Sequence, residues 1–301
     1  MRRVSWAASE RWPEMTFSYD TAFSRNIGWV TRQEQHALKG KRVAIAGMGG
    51  VGGIHLLTLA RLGIGSFHIA DLDVFELANF NRQAGASMSA LNRPKAEVMA
   101  AMARDINPDL DIRIFPSGVS PDNLSEFLTG VDLYVDGLDF FVFSIRQATF
   151  AACAERAIPA ITAAPLGMGA ALLNFMPGKM TFEEYFGWGN LPEEEKALRF
   201  LIGLAPAGLH FGYLVDPSAI NLDEHRGPST VMACQICAGM AATEALKILL
   251  KRGQVFAVPY SLQFDAFRNK LARSWRPGGN DHFMQRIALK IAKRRLSNLR
   301  G

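Results

Sequence analysis

One segment constrains this chain more than any other. Lys41-Arg42-Val43-Ala44-Ile45-Ala46 reads as a short apolar strand, and Gly47-Met48-Gly49-Gly50-Val51-Gly52-Gly53 follows it directly. Ile54 to Leu62 then continues as a helix that stops at Gly63, and Gly65 to Ala70 is a second strand with Asp71 at its carboxyl end. In such a unit the first glycine, Gly47, permits a tight turn. The second, Gly49, lets the backbone approach a diphosphate, and the third, Gly52, allows the helix to pack closely on the strand. The N–H groups at the helix start attract anionic oxygen. A carboxylate at Asp71 can accept hydrogen bonds from ribose hydroxyls. The pattern predicts a nucleotide site and by itself leaves NAD and ATP open.

The rest of the chain keeps the alternation. Thr21 to Leu38 suggests one or two helices ending near Gly40. Pro94 to Ile106 reads as a helix, Asp111 to Phe115 as a strand, and Pro121 to Leu128 as a short helix capped by Ser120. Val131 to Val135 is a strand, Ser144 to Arg156 a helix and Ala160 to Ala163 a strand. Strands alternating with helices predict an α/β fold, a Rossmann-like and mostly parallel sheet with flanking helices. A smaller mixed or antiparallel portion should follow, because Val255 to Ala266 is strand-like after a long helix from Cys234 to Leu250. Residues 1–20 read as an N-terminal arm, 21–267 as the main domain and 268–301 as a basic C-terminal tail. The tail places Phe283, Ile287, Ile291 and Leu296 among Lys and Arg. Within the main domain, 180–230 breaks the rhythm and reads as a variable, substrate-side insertion. It contains a helix starting near Pro192 with three Glu in its first turn. Those carboxylates suit the helix macrodipole and are expected to be solvated.

Composition removes several classes. With 49% hydrophobic and 20% charged residues, the chain can bury a substantial core. The net charge of +5 gathers from Arg268 onward, so it describes a basic tail on a neutral enzyme. Cys153, Cys234 and Cys237 cannot make a disulfide framework, and Met1 to Glu14 has no apolar run of a signal peptide, so a reducing cytoplasm is expected. The longest apolar stretch, Ala157 to Met176, is broken by Pro159, Pro165, Gly167 and Gly169. It reads as two buried strands around a turn, and no transmembrane segment is expected. His55, His68, His210, His225 and His282 are scattered without metal-ligand spacing.

The residues after Asp71 favour a triphosphate over a nicotinamide. Asn79-Phe80-Asn81-Arg82-Gln83 is a polar stretch beyond the second strand, and Lys95 opens the next helix. Two cations and several amides suit the charge that develops during nucleotidyl transfer. Asp139, past the strand Val131 to Val135, offers a hard oxygen ligand for Mg2+.

With these segments in order, the chain resembles the E1-like ubiquitin-activating superfamily, which includes the ThiF, MoeB and HesA adenylyltransferases. The matching stretches are Arg42 to Gly52, Asp71-Leu72-Asp73-Val74, Asn79 to Gln83, Arg93-Pro94-Lys95-Ala96, Asp136-Gly137-Leu138-Asp139 and Ala242 to Lys247. They lie within about Ala22 to Phe267. The resemblance implies an ATP- and Mg2+-dependent enzyme that adenylates a carboxylate and releases pyrophosphate. The acceptor would be the C-terminus of a ubiquitin-like protein or a peptide. It also implies roles by position. Gly47, Gly49, Gly50, Gly52, Asp71, Asp73, Asn79 and Gln83 would bind the nucleotide, with Asp71 on the ribose and Asn79 and Gln83 among the groups around the phosphates. Arg82 and Lys95 would act on the phosphates, and Asp139 would hold Mg2+. Arg25, in Phe23-Ser24-Arg25-Asn26, looks like the family arginine that reaches a partner subunit's ATP, which implies a homodimer.

The chain departs from the family at Phe140 and Phe141, where an Asn and an apolar residue usually follow the aspartate. Residues 180–230 hold no cysteine, so no catalytic thioester is expected on this chain, and Cys153 reads as core. Cys234-x-x-Cys237 lacks a second pair, and the family's late zinc pair has no counterpart after Phe264-Asp265-Ala266, so zinc is not expected. Three other readings remain: an NAD- or FAD-dependent oxidoreductase, a relative that activates the carboxylate of t6A-modified tRNA, and a non-catalytic partner subunit. The tRNA reading draws on the basic tail and is not the favoured one.

Overall fold

The computed structural model describes residues 16–220 and 227–300. The expected arm falls outside the described residues as far as Met15. Chain order runs α1 (Tyr19–Ala22), α2 (Arg32–Lys39), β1 (Arg42–Ala46), α3 (Gly52–Leu62), β2 (Ser66–Ala70), α4 (Lys95–Ile106), β3 (Asp111–Phe115) and α5 (Leu124–Phe127). Then come β4 (Leu133–Asp136), α6 (Phe143–Glu155), β5 (Ala160–Leu166), β6 (Gly169–Phe175), α7 (Phe182–Phe186) and α8 (Glu193–Leu204). The chain closes with α9 (Val231–Leu249), β7 (Tyr260–Asp265), β8 (Lys270–Trp275) and α10 (Phe283–Arg300).

All eight strands form one sheet in the order β3-β2-β1-β4-β5-β6-β7-β8. The pairs from β3 through β5 are parallel, and those from β5 through β8 are antiparallel. The α/β class expected from the alternation is therefore observed, with the antiparallel portion continuing the same sheet. β1, β2 and β4 are mostly apolar because helices cover both of their faces, with His68 and Asp136 as buried polar exceptions. On one face β1, β2 and β5 pack against α3, α4 and α9; on the other the core is made with α5 to α8.

Local chemistry sets several boundaries. Thr31 and Glu34 form a reciprocal capping box at the start of α2. α3 ends where Gly63 takes a φ of +94°, a left-handed conformation that a residue with a Cβ resists. The stretch Ala157 to Met176 is the buried hairpin of β5 and β6, as read. α9 has the length and apolarity of a membrane-crossing helix; it packs on α3, β5 and β6, with Cys237, Ala241 and Ala245 in the core.

One element differs from expectation. Ser120 does not cap α5: the helix starts at Leu124, and Asn123 Oδ1 accepts the Ser120 N–H at 2.8 Å, so the residues before it form a turn. In α10, the contact with the domain is made on one side only. Leu289 meets Leu198 and Ile202 of α8, and Gln285 Nε2 donates to the Ile202 carbonyl. Phe283, Ile287 and Ile291 lie on the open side, 66%, 53% and 49% exposed. The side chain of Leu296 lies outside the described residues.

Candidate functional site

The site gathers at the carboxyl ends of three adjacent strands, β2, β1 and β4, where open α/β sheets bind ligands. Gly47, after β1, has a φ of +87°, and a Cβ there would stand 2.2 Å from the Gly137 carbonyl oxygen. A Cβ on Gly52 would stand 1.7 Å from the Gly47 oxygen. Both positions exclude a side chain because backbone from β1, β4 and α3 meets there. Gly49 differs. The nearest atom to a Cβ there is Gln83 Nε2 at 3.7 Å, an ordinary contact. Its glycine is not demanded by the packing of this chain, and the outer side of the turn is open.

Around the turn stand the polar residues singled out from sequence. Asp71 Oδ2 accepts the Met48 N–H at 2.6 Å and Oδ1 accepts the Asp73 N–H at 2.8 Å. Burial pushes the Asp71 carboxyl up, and these two amides oppose it. Lys95 is buried, with Nζ 3.0 Å from Asp73 Oδ2, which is exposed. Arg82 is half-buried; Nη1 donates to Ala78 O and Asn81 Oδ1, both at 2.9 Å, and its stem lies against Gly50. Gln83 is 8% exposed, and among the described residues its Oε1 has no hydrogen-bond partner. An unpaired buried carbonyl is costly, so its position beside the turn marks a place for a donor. Asn79 is buried and uses its Oδ1 to hold the Glu76 N–H at 3.0 Å.

On the other side, Gly137 packs on Gly47 and Gly52 and starts the loop that carries Asp139. Asp139 is exposed. Its Oδ1 accepts the Phe141 N–H at 3.1 Å. Beneath it lies Arg146, fully buried and paired with buried Asp136 at 2.9 Å. Asp136 also accepts from Thr162 Oγ1 at 3.0 Å. Sequence reasoning missed both Arg146 and the role of Asp136. A signal existed, since a cation in the first turn of α6 opposes the helix dipole and calls for a local reason.

Cys234 does more than fill the core. It is buried, but its Sγ lies only 3.3 Å from where a Cβ on Gly50 would be, so it walls the turn. Burial pushes the thiols of Cys234 and Cys237 up and that of Cys153 to about 12, which leaves all three protonated at neutral pH. Among the described residues no three His, Cys, Asp or Glu side chains converge as a metal cluster.

The structure does not bring Arg25 to this site. Arg25 is exposed, in a short 3-10 turn whose Asn26 donates to Leu62 O at the far end of α3. Eleven residues of helix put that end about 16 Å from the turn.

The sequence matches the ThiF family over residues 23–282. The tRNA threonylcarbamoyladenosine dehydratase of Bacillus subtilis is 33% identical over 150 residues, covering 50% of this chain and 57% of that protein. The sulfur carrier protein ThiS adenylyltransferase of Escherichia coli is 31% identical over 143 residues, covering 48% and 56%. The chain thus spans about half the length of the curated relatives it matches. Among solved structures, the complex of E. coli MccB with MccA-N7isoASN superposes with a TM-score of 0.66 at 19% identity, over 89% of this chain and 75% of that one. That likeness concerns the fold.

Proposed function

This chain belongs to the ThiF family, and from that premise we propose that it adenylates an acceptor carboxylate with ATP. The carboxylate oxygen bonds to the α-phosphorus, the bond to the β,γ-diphosphate breaks, and pyrophosphate leaves. One observation carries this reading: Arg82, Lys95 and the exposed Asp139 stand around an open glycine turn at the carboxyl ends of the central strands. A nicotinamide cofactor has no use for Arg82, Lys95 and Asp139 together.

Each residue then has a task. The turn and the start of α3 present N–H groups to phosphate oxygens. Gly49 leaves room for them, and Cys234 closes the side at Gly50. Asp71, already positioned by two backbone amides, is assigned the ribose hydroxyls. Arg82 is half-buried and its guanidinium is held by the neutral acceptors Ala78 O and Asn81 Oδ1, so it can turn onto the phosphates. Lys95 exchanges its exposed partner Asp73 for the same charge. Asn79 and Gln83 line this wall.

Asp139 fits Mg2+, because that ion takes one or two carboxylates and fills its shell with water and phosphate oxygens. The ion supplies charge neutralisation on the phosphates; the chain's part is to hold Asp139 in place. No buried thiol here competes as an acyl acceptor, so the adenylate passes to a nucleophile elsewhere.

Arg25 lies far from its own turn, which supports a homodimer in which it reaches the partner's phosphates. Exposed Trp29, at 85%, and Leu77 and Met88 supply apolar surface for such an interface. A ubiquitin-like C-terminus or a peptide is the preferred acceptor, and a cytoplasmic setting suits the free thiols. Exposed Arg286 and Lys290 on α10, with the dehydratase relative, favour a tRNA carboxylate as the second reading. Binding that falls steeply with salt would select it.

The test is exchange of labelled pyrophosphate into ATP in the presence of candidate carboxylates. Wild-type protein is expected to exchange with its true acceptor. Arg82→Ala and Asp139→Ala should each slow exchange by about a hundredfold or more while remaining folded. Wild-type rates in both variants would refute the assignment.

A further inference from the structure

The loop that carries Asp139 is wound around a single guanidinium. Arg146 Nε donates to Asp136 Oδ2 at 2.9 Å. Nη1 donates to the carbonyls of Phe140 at 3.2 Å and Val142 at 2.8 Å, and Nη2 to those of Leu138 at 2.7 Å and Asp139 at 2.9 Å. All five N–H donors of the side chain are therefore used. Four successive or near-successive carbonyls turned inward fix the loop backbone and leave the Asp139 side chain exposed.

The guanidinium has an aromatic floor. Phe200, from α8, lies with its ring centroid 4.7 Å from the Arg146 carbon, and Phe140 meets the same ring at 5.2 Å. Phe200 is 2% exposed and is itself held by Phe186 and Trp188 at 5.2 and 5.5 Å. Dry surroundings strengthen each hydrogen bond from the guanidinium and make an unpaired one costly. The phenylalanines that follow Asp139 therefore have a purpose in this chain. Phe140 anchors the loop to α8, where a small amide would leave the arginine's floor open.

We propose that Arg146 is the positioning residue that holds the Asp139 carboxylate in its working place, and that Phe140 and Phe200 set Arg146 by excluding water from it. Arg146 touches no phosphate; it acts through Asp139. The inference rests on the assignment of Asp139 to the divalent ion.

The experiment titrates Mn2+ into the full chain with the α,β-methylene analogue of ATP present, and reads bound metal by electron paramagnetic resonance. Arg146→Lys, which keeps the charge but loses the fork, is expected to weaken Mn2+ binding by about tenfold or more. The affinity for the analogue without metal should stay near wild type. Phe200→Leu and Phe140→Leu retain apolar bulk and are expected to weaken Mn2+ binding in the same direction, less strongly. They carry the test if Arg146→Lys does not fold. Added to Asp139→Asn, each of the three changes should have no further effect on metal binding, because the route through Asp139 is already gone.

Wild-type Mn2+ affinity in the folded variants, or an effect that persists undiminished in the Asp139→Asn background, overturns the positioning role alone. If Asp139→Asn by itself leaves Mn2+ affinity unchanged, the metal assignment fails and this inference falls with it.

Discussion

Gly49 and Gly52 look alike in the sequence and differ in the structure. A Cβ on Gly52 would collide with the Gly47 oxygen at 1.7 Å, whereas one on Gly49 meets nothing nearer than 3.7 Å. Gly52→Ala should therefore distort the turn and lower thermal stability. Gly49→Ala should leave stability within about 0.5 kcal/mol, as surface changes do, yet lower ATP affinity; thermal melts and calorimetric titration separate the two. His55 makes a different prediction. It is buried in α3 with neither ring nitrogen paired among the described residues, and burial alone lowers its pKa from 6.5 to about 4. A group depressed in the folded state contributes its full stability above the unfolded value. Stability should thus fall as pH drops from 6.5 toward about 4, by on the order of 3 kcal/mol from this residue. Urea unfolding of His55→Leu should show a shallower loss over that window. His210, also lowered to about 4 by burial and opposed by Asp265, keeps part of the slope. The glycines, Asp71, Arg82 and Lys95 were legible because type and spacing carry their chemistry. Arg146 was not, because its partners are backbone carbonyls of a loop whose shape no residue pattern encodes.

At the scale of elements, α10 divides its apolar residues between a packed side and an open side. Phe283, Ile287 and Ile291 mark an apolar stripe, yet the helix packs through Leu289 and Gln285 against α8. Leu289→Ala should cost about 2 kcal/mol or more, and Ile287→Ser should stay within about 0.5 kcal/mol, both read by denaturant unfolding. The same logic places α2's start on Thr31 and Glu34, where Thr31→Ala should cost about 1 kcal/mol. Elements on the parallel side were legible because burial on both faces forces continuous apolar strands between amphipathic helices. The start of α5 was not, since Ser120 and Asn123 are both plausible caps and their mutual bond decides. Pairing of β6 and β7 was only a general expectation, because antiparallel register depends on contacts distant in sequence, and β8 lies inside the stretch read as a basic tail.

For the whole molecule, the sheet joins two jobs on one edge. Parallel strands deliver the turn, Asp71 and Asp139 to one place, and the antiparallel extension widens the platform beside it. The helical layer of α7 and α8 reaches the loop of Asp139 through Phe200, so the part of the chain that looked most variable supports the part that looked most fixed. If Arg25 serves a partner's site, Arg25→Ala and Arg82→Ala proteins, each inactive alone, should regain part of their pyrophosphate exchange when mixed and allowed to exchange subunits. The central claim, that the glycine turn holds ATP with a divalent ion, is tested most directly by calorimetric titration of the α,β-methylene analogue of ATP with Mg2+. The account predicts binding that Mg2+ tightens, that weakens in Arg82→Ala and Asp139→Ala, and that finds no counterpart with NAD. Binding of NAD without binding of the ATP analogue would contradict it.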